Sequence, residues 1–248
     1  MEQFKKWGLG YSGCDGGDIG SPSSKSRWVC GIEWGGGHTP DELLQSMQKD
    51  MTQIPKGYDV WEENISYIFN WQVMKLFAAI EGGKVSDYKL FAKDVKPFIE
   101  GSLGYFKMNL YPIAFKDTAP AKWINEFSSV TGFSSKEEYI EWCKTNRFQE
   151  IRNWTSTFSP ELVICLGKTY IEDFSVAFFD PEAKFTTEVI DDREIRWGRN
   201  IHGTLVVILP FMVNRNGLVK NVTIQKVGER ISQLMQLTNT NFPAALQN

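Results

Sequence analysis

Four short apolar runs, set far apart along the chain, constrain the fold more than any other feature of this sequence. They are RWVCGI at 27–32, YFKMNL at 105–110, ELVICL at 161–166 and TLVVIL at 204–209. Each is partly β-branched or aromatic and is bounded by Gly, Pro or polar residues, which is typical of buried strands. Because helical patterns separate the runs, they predict a three-layer α/β/α domain around a central, mainly parallel four-stranded sheet.

The stretches between the runs carry helix signals. Residues 63–83, ENISYIFNWQVMKLFAAIEGG, predict one long packed helix that ends at its two glycines. Thr39 and Glu42 form a capping-box pattern, and SSKEEYIEWCKTNR at 134–147 opens with another. The amphipathic stretch 220–237 predicts a helix that packs back on the sheet.

The length of 248 residues favours one large domain over two small ones, so we expect a single domain over residues 1–248. Residues 1–26 are rich in Gly and Ser and predict a leader loop before the first strand. The stretch 184–200 predicts an inserted hairpin with DDRE as its turn.

Composition excludes some classes of protein. A net charge of −3 excludes the strongly basic class, so any nucleic-acid contact must come from a local basic patch. The four cysteines are scattered without a CxxC pair, which indicates neither a metal site nor a disulfide framework, and no cofactor is expected. The N-terminal residues lack the apolar segment of a signal peptide, and no apolar run reaches transmembrane length. We therefore expect a cytoplasmic monomer without membrane contact.

In an open parallel sheet, ligands bind beyond the carboxyl ends of the strands. Glu33 follows the first apolar run and precedes the helix that Thr39 caps, so it belongs to a loop. Gly31 and Gly35 flank it and allow a ligand to approach the main chain. A solvated carboxylate in an ordinary glycine turn explains the same pattern.

The second apolar run ends at Asn109, an amide that emerges from a core strand. Such an amide is costly unless its donors and acceptors are matched, and a nucleobase would match them. Capping of the turn at Tyr111 and Pro112 is an equally simple role for it.

The third and fourth runs end in residues suited to phosphate. Gly167 and Lys168 open a helix, where backbone N–H groups and a cation meet, although the Walker motif lacks its first glycine because position 162 is Leu. Arg215 and Asn216 follow the fourth run and are candidates for a phosphodiester contact or for a solvated surface.

Together the four strand ends resemble the uracil-DNA glycosylase superfamily. The matching motifs are GIEWG at 31–35, MNLYP around Asn109, LGKTY around Gly167 and LPFMVNRN at 209–216. Their order and spacing cover nearly the whole chain. The resemblance implies a DNA glycosylase with a water-activating loop after the first strand and a base-reading Asn after the second. It also implies a loop after the fourth strand that enters the minor groove.

The resemblance assigns roles to individual residues. Glu33 would activate water and Asn109 would read the base, as the two catalytic residues. The residues implied to bind the base are Gly31, Ile32, Trp34, Trp61, Phe69 and Phe211. The residues implied to bind the DNA backbone are Gly35, Gly167, Lys168, Thr169, Asn214, Arg215 and Asn216.

Two departures from the family pattern bear on the substrate. Trp34 stands where the family usually has Pro, and Phe211 stands where it has the His that stabilises the departing base. We therefore expect a substrate other than plain uracil, such as a modified pyrimidine in phage DNA. Two alternatives remain: a lapsed glycosylase fold that binds nucleic acid or nucleotide as a sensor, and an unrelated small-molecule hydrolase. His38 and His202 are left without a role.

Overall fold

A seven-stranded sheet forms the centre of the protein. The computed structural model describes residues 1–49, 51–115, 123–180 and 183–237. The strands lie in the order β1-β3-β2-β4-β7-β6-β5. They are β1 (Cys14–Gly17), β2 (Arg27–Gly31), β3 (Tyr105–Asn109), β4 (Leu162–Leu166), β5 (Thr186–Ile190), β6 (Arg193–Arg199) and β7 (Leu205–Leu209).

The four apolar runs form the four central strands. β3, β2, β4 and β7 pair in parallel in that order, with Gly31 opposite Asn109 at the end of β2 and β3. The prediction of an α/β fold with a parallel centre is confirmed. The prediction of a four-stranded sheet is wrong, because antiparallel strands extend both edges: β1 beside β3, and the pair β6 and β5 beside β7.

The predicted leader loop is the first source of extra strands. Residues 1–26 contain helix α1 (Glu2–Leu9) and strand β1, so the prediction of a loop is wrong. Phe4 and Trp7 of α1 are buried in the core. β1 has the sequence CDGG, which carries no strand propensity. Its conformation is set by pairing with β3, a contact distant in sequence.

The stretch 184–200 is the second source. It forms the hairpin of β5 and β6, as predicted, but the turn is limited to Asp191 and Asp192, because Arg193 and Glu194 of the predicted DDRE turn pair with β5. β6 then pairs with β7, so the hairpin extends the sheet. Arg230 of the last helix donates two hydrogen bonds to Glu188 of β5, at 2.6 and 2.9 Å, which fastens the hairpin to the helical layer.

Helices cover both faces of the sheet, each with its own buried core. One face carries α1, α2 (Pro40–Ser46), α6 (Asn125–Thr131), α7 (Lys136–Trp142), α8 (Phe148–Phe158) and α9 (Ile171–Phe178). The other face carries α4 (Ile68–Ile80), α5 (Tyr88–Val95) and α10 (Asn221–Gln236). None of the helices in the described part of the chain is long and apolar enough to cross a membrane.

Both predicted capping patterns are present. The Thr39 hydroxyl accepts the backbone N–H of Glu42, whose carboxylate accepts the backbone N–H of Thr39 in return. The Ser135 hydroxyl accepts the N–H of Glu138. These caps fix where α2 and α7 begin, and therefore where the loops before them end.

The single helix predicted over 63–83 is two helices, α3 (Trp61–Asn64) and α4. The buried Asn64 side chain donates to the Pro97 carbonyl, and the Asn64 carbonyl accepts from the Asn70 amide. These side-chain hydrogen bonds satisfy the backbone at a break that hydrophobic periodicity alone does not reveal.

The fully buried guanidinium of Arg147 joins the N-terminal segment to the end of β3. Arg147 closes a π-helical turn, Cys143–Arg147, between α7 and α8. It donates to the Leu110 carbonyl at 2.6 Å and to the Ser12 carbonyl at 2.5 Å. Further bonds reach the carbonyls of Gly8 and Asn109. One cation thus satisfies backbone oxygens from two segments that lie far apart in the sequence.

Replacing Arg147 by Met should lower the free energy of unfolding by about 3–5 kcal/mol, because several buried carbonyls lose their donor. Arg147→Lys should also destabilise, since a lysine lacks the planar fork that reaches both segments. Arg215→Met, on an exposed loop, is the control and should change stability by less than about 0.5 kcal/mol. Urea unfolding measures all three, and an Arg147→Met protein as stable as the control would contradict this role.

Candidate functional site

The ends of β2 and β3 meet at the centre of the sheet's carboxyl edge. Gly31 pairs with Asn109, and the pairing continues beyond the strands because Leu110 N–H donates to the Gly31 carbonyl at 3.1 Å. A Cβ atom on Gly31 would lie 2.4 Å from Asn109 Oδ1 and 3.8 Å from Phe69 Cζ. Only glycine at 31 therefore leaves room for the Asn109 amide, whereas Phe69 would be in ordinary van der Waals contact with a side chain there.

The Asn109 side chain is buried, and its nitrogen already has a hydrogen-bond partner within the protein. Its Nδ2 donates to the Gly13 carbonyl at 3.1 Å, and the same carbonyl accepts the Asn109 backbone N–H at 2.9 Å. In the described part of the chain, no donor reaches Asn109 Oδ1 within hydrogen-bond distance. The amide therefore fastens the N-terminal segment with one of its two N–H groups and retains its oxygen as an acceptor beside Gly31.

Two aromatic side chains from the predicted base-binding set lie beside this amide. The Phe69 and Phe211 rings are 5.9 Å apart, and both side chains are half-buried. The Lys107 ammonium lies 5.2 Å from the centre of the Phe69 ring. We call Gly31, Phe69, Lys107, Asn109 and Phe211 the Phe69 cluster.

A charged network that sequence patterns did not reveal borders the Phe69 cluster. Asp15 is the extra residue of a β-bulge between β1 and β3. Its carboxylate accepts from Lys107 Nζ and from the Tyr58 hydroxyl, both at 2.9 Å. The other carboxylate oxygen accepts Trp34 Nε1 at 3.1 Å, so the predicted base-binding Trp34 is held against the bulge. Asn70 donates to the Tyr58 hydroxyl at 3.1 Å.

Two features of the sequence could have indicated part of this network. Asp15 lies among glycines in the stretch 13–17, which is where a bulge can form. Lys107 is a charge inside an otherwise apolar strand, and a buried lysine needs a partner. Neither signal says which carboxylate meets which lysine, because β1 and β3 are separated by about ninety residues.

Glu33 lies in a different place at the same edge. It lines a small pocket that is partly open to solvent, next to the predicted base-binding residue Ile32. The other side chains that line the pocket are Tyr111, Lys136, Tyr139, Ile140 and Tyr170. The pocket opens on the α7 and α9 side of the sheet, whereas the Phe69 cluster lies on the α4 side.

Lys136 brings a cation into the Glu33 pocket. It is the first residue of α7 and its side chain is buried, with Nζ 4.0 Å from the centre of the Phe115 ring. Tyr111 donates to Asp173 at 2.8 Å, and burial, followed by the Asp173 charge, raises the pKa of Tyr111. A carboxylate, an ammonium and neutral phenols therefore share one small pocket.

The third strand end lies beside the first. Gly167 donates its N–H to the Leu209 carbonyl and has a φ of 138°, and a Cβ there would lie 2.5 Å from Ile32 Cδ1. Lys168 and Thr169 are exposed on the 3₁₀ turn that follows. Both are free of the core and accessible to a ligand at this edge.

The fourth strand end is a closed loop. The Phe211 carbonyl accepts the Leu218 N–H at 2.9 Å, and Arg193 of β6 donates to the Gly217 carbonyl at 2.8 Å. Asn214, Arg215 and Asn216 form its exposed tip. The loop therefore holds Phe211 inward against Phe69 while its polar tip faces solvent.

Two other predicted residues lie at the periphery. Trp61 is half-buried at the start of α3 and packs against the core on the α4 side. Gly35 is exposed, and a Cβ there would meet no atom within 4 Å. A side chain at 35 is therefore sterically acceptable in this conformation.

Both histidines have structural hydrogen bonds. His38 Nδ1 accepts the Ala114 backbone N–H at 2.9 Å, and the His38 backbone N–H donates to the Ala114 carbonyl. These two bonds tie the Glu33 loop to the chain after β3. Exposed His202 lies in the turn after β6, where its N–H donates to Asn200. Neither contact needs a ligand.

The part of the chain that the structure describes contains no group of three His, Cys, Asp or Glu side chains arranged to hold a metal ion. The four cysteines are buried free thiols. No protein-family model matches this chain, and no curated protein is significantly similar to it. The chemistry of the strand ends is therefore the basis for assigning a function.

The His38 contact predicts a pH dependence. Burial, the largest cause, lowers the pKa of His38 in the fold, with Glu42 opposing and Lys49 adding to the shift. Because the folded pKa is below the unfolded value of about 6.5, the contact stabilises fully above that pH and is lost as the pH falls through the folded pKa.

Wild-type protein should therefore lose more unfolding free energy between pH 7.5 and pH 5 than His38→Asn, whose amide oxygen accepts the same N–H without titrating. Urea unfolding at each pH gives the difference, and carboxylate titration cancels between the two proteins. Identical pH slopes would show that His38 does not titrate in this window.

Proposed function

We propose that this chain is a DNA glycosylase that hydrolyses the N-glycosidic bond of a pyrimidine base turned out of the DNA strand, leaving an abasic site. The observation that carries the proposal is the pairing of Gly31 with Asn109 at the sheet's carboxyl edge. It makes a carboxylate loop and a base-reading amide neighbours. The loops at Gly167 and at 211–218 follow the other two parallel strands to the same edge.

The proposed chemistry follows from the side chains. Cleavage passes through an oxocarbenium-like sugar and profits from a carboxylate that deprotonates water, which is the role of Glu33. Phe69 offers a ring face for the extruded base. One of the two N–H groups of Asn109 Nδ2 is committed to Gly13, and the carbonyl oxygen Oδ1 would accept an N–H group from the base edge.

The exposed polar residues at this edge supply the contacts to the DNA backbone. Lys168 and Thr169 lie on one loop, and Asn214, Arg215 and Asn216 lie on another. Cations and amides at such positions bind phosphate without reading sequence. Two basic side chains suit a short stretch of backbone better than a long duplex, in keeping with the net charge of −3.

The substrate we propose is a modified pyrimidine, in keeping with a role against modified phage DNA. Phe211 stands where the resemblance implies the His that stabilises departing uracil, and its ring has no hydrogen-bond donor, so this strand end lacks the contact associated with uracil. The protein would act as a cytoplasmic monomer.

A second candidate function is binding without catalysis. Two observations favour it: the Asn109 donor already bonds the chain's own Gly13, and the Glu33 pocket contains the buried cation Lys136. In that case the fold would bind nucleic acid or a nucleotide as a sensor.

An abasic-site assay tests the proposal. Single- and double-stranded oligonucleotides carrying uracil, 5-hydroxymethyluracil, 5-hydroxymethylcytosine or its glucosylated form are incubated with protein and then cleaved with alkali. Cleavage of at least one substrate is expected. Glu33→Gln should reduce the rate by about 10²–10⁴-fold, the usual contribution of a general base, while DNA binding persists.

Glu62→Gln, on the exposed side of α3, is the matched control and should cleave at the wild-type rate. No cleavage of any substrate together with retained DNA binding would favour the sensor. Equal activity in wild type and Glu33→Gln would remove Glu33 from the mechanism.

A further inference from the structure

A donor to the departing base is the part of the proposed reaction that Glu33 and Asn109 do not supply. Breaking the N-glycosidic bond leaves its electron pair on the base, and the charge spreads to the ring carbonyl next to the glycosidic nitrogen. Preorganised hydrogen-bond donors lower the barrier when they face such a developing anion. The donor must lie beside the surface on which the base stacks.

Lys107 lies beside that surface. Its Nζ is 5.2 Å from the centre of the Phe69 ring and 5.6 Å from that of Tyr58. Its side chain is 10% exposed, which leaves the ammonium within reach of the sheet edge but shielded from bulk water. Charge–dipole interactions are strong in such a location.

The hydrogen bonds of Lys107 leave it one donor. Two N–H groups are directed at Asp15 Oδ1, 2.9 Å away, and at the Tyr58 hydroxyl, 3.2 Å away. No third acceptor lies within hydrogen-bond distance in the described part of the chain. An ammonium has three N–H groups, so one is available to a ligand.

The strand alternation aligns this donor with the base-reading amide. Lys107 and Asn109 are two residues apart on β3 and therefore share a face of the sheet. Phe69 lies against both, since it approaches Gly31 next to Asn109 Oδ1 and also the Lys107 ammonium. A base stacked on Phe69 would find an acceptor at one side and a cationic donor at the other.

We propose that Lys107 is the catalytic donor to the departing base, and that Asp15 and Tyr58 are its positioning residues. The inference rests on the proposed glycosylase function. In the step, the water oxygen bonds to the sugar carbon, its proton passes to Glu33, and the carbon–nitrogen bond breaks with its electron pair on the base. Lys107 donates a hydrogen bond to the base carbonyl as that charge develops, and water later protonates the base.

The alternative explanation of the same contacts is a structural role, in which the ion pair of Lys107 and Asp15 holds β1 to β3. Single removal of Lys107 would not separate the two readings, because the half-buried Asp15 carboxylate would lose its partner and destabilise the fold. The test therefore starts from Asp15→Asn, in which a neutral amide replaces the carboxylate and Lys107 remains.

Three proteins are compared on the oligonucleotide that the wild type cleaves best: Asp15→Asn, Asp15→Asn/Lys107→Met and Asp15→Asn/Lys107→Arg. Relative to Asp15→Asn, the Met variant should lower the single-turnover rate by about 10²–10³-fold, with the Kd for DNA changed by less than about threefold. The Arg variant should recover the rate to within about tenfold of Asp15→Asn, because it restores a cationic donor.

A Met variant that cleaves as fast as Asp15→Asn overturns the inference while the glycosylase proposal stands. Parallel losses of rate, DNA binding and stability in both the Met and Arg variants also overturn it, since they indicate a structural role. If the wild type cleaves no oligonucleotide in the panel, the proposed function is wrong, and the role inferred for Lys107 is then wrong as well.

Discussion

The buried guanidinium of Arg147 is the interaction on which the arrangement of the candidate site depends. It is fully buried and binds carbonyls of Gly8 and Ser12 on one side and of Asn109 and Leu110 on the other. Among the residues that the structure describes, no backbone N–H outside the helices and strand ladders donates to these oxygens, so loss of the cation would leave buried acceptors without a donor. The N-terminal segment is thereby fixed against the end of β3. Gly13 then meets the Asn109 amide, and the bulge at Asp15 meets Lys107.

The carboxyl edge of the sheet consequently has two chemically different parts. On the α4 side, the Phe69 cluster combines aromatic faces, an amide acceptor and an ammonium. On the α7 and α9 side, Glu33 shares a small pocket with Lys136 and tyrosines. Only β2 separates them, because Gly31 belongs to one part and Ile32 to the other. A base on Phe69 and a water near Glu33 would thus lie on opposite faces of the sheet at the end of β2.

The sequence predicted the parallel centre of the fold because its four strands are buried on both faces and read as continuous apolar runs. Caps at Thr39 and Ser135 were also predictable, since they depend on side chains three residues apart. The edge strands were harder to predict from the sequence. The hairpin follows from local alternation, but β1 has no propensity of its own and forms only because Arg147 and β3 hold it. For the same reason Glu33 and Asn109 could be selected as strand-end residues, whereas Asp15 and Lys107 required a contact across the chain.

A crystal structure of Glu33→Gln bound to an oligonucleotide with a 2′-fluorinated substrate nucleotide tests the central claim most directly, because the fluorine slows cleavage by destabilising the oxocarbenium-like sugar. The claim is that the base binds at the Phe69 cluster. The account predicts the base ring stacked on Phe69, one edge N–H on Asn109 Oδ1, a ring carbonyl on Lys107 Nζ and the Gly13–Asn109 bond intact. A base bound among Tyr111, Tyr139 and Tyr170, with Phe69 and Lys107 untouched, would contradict it.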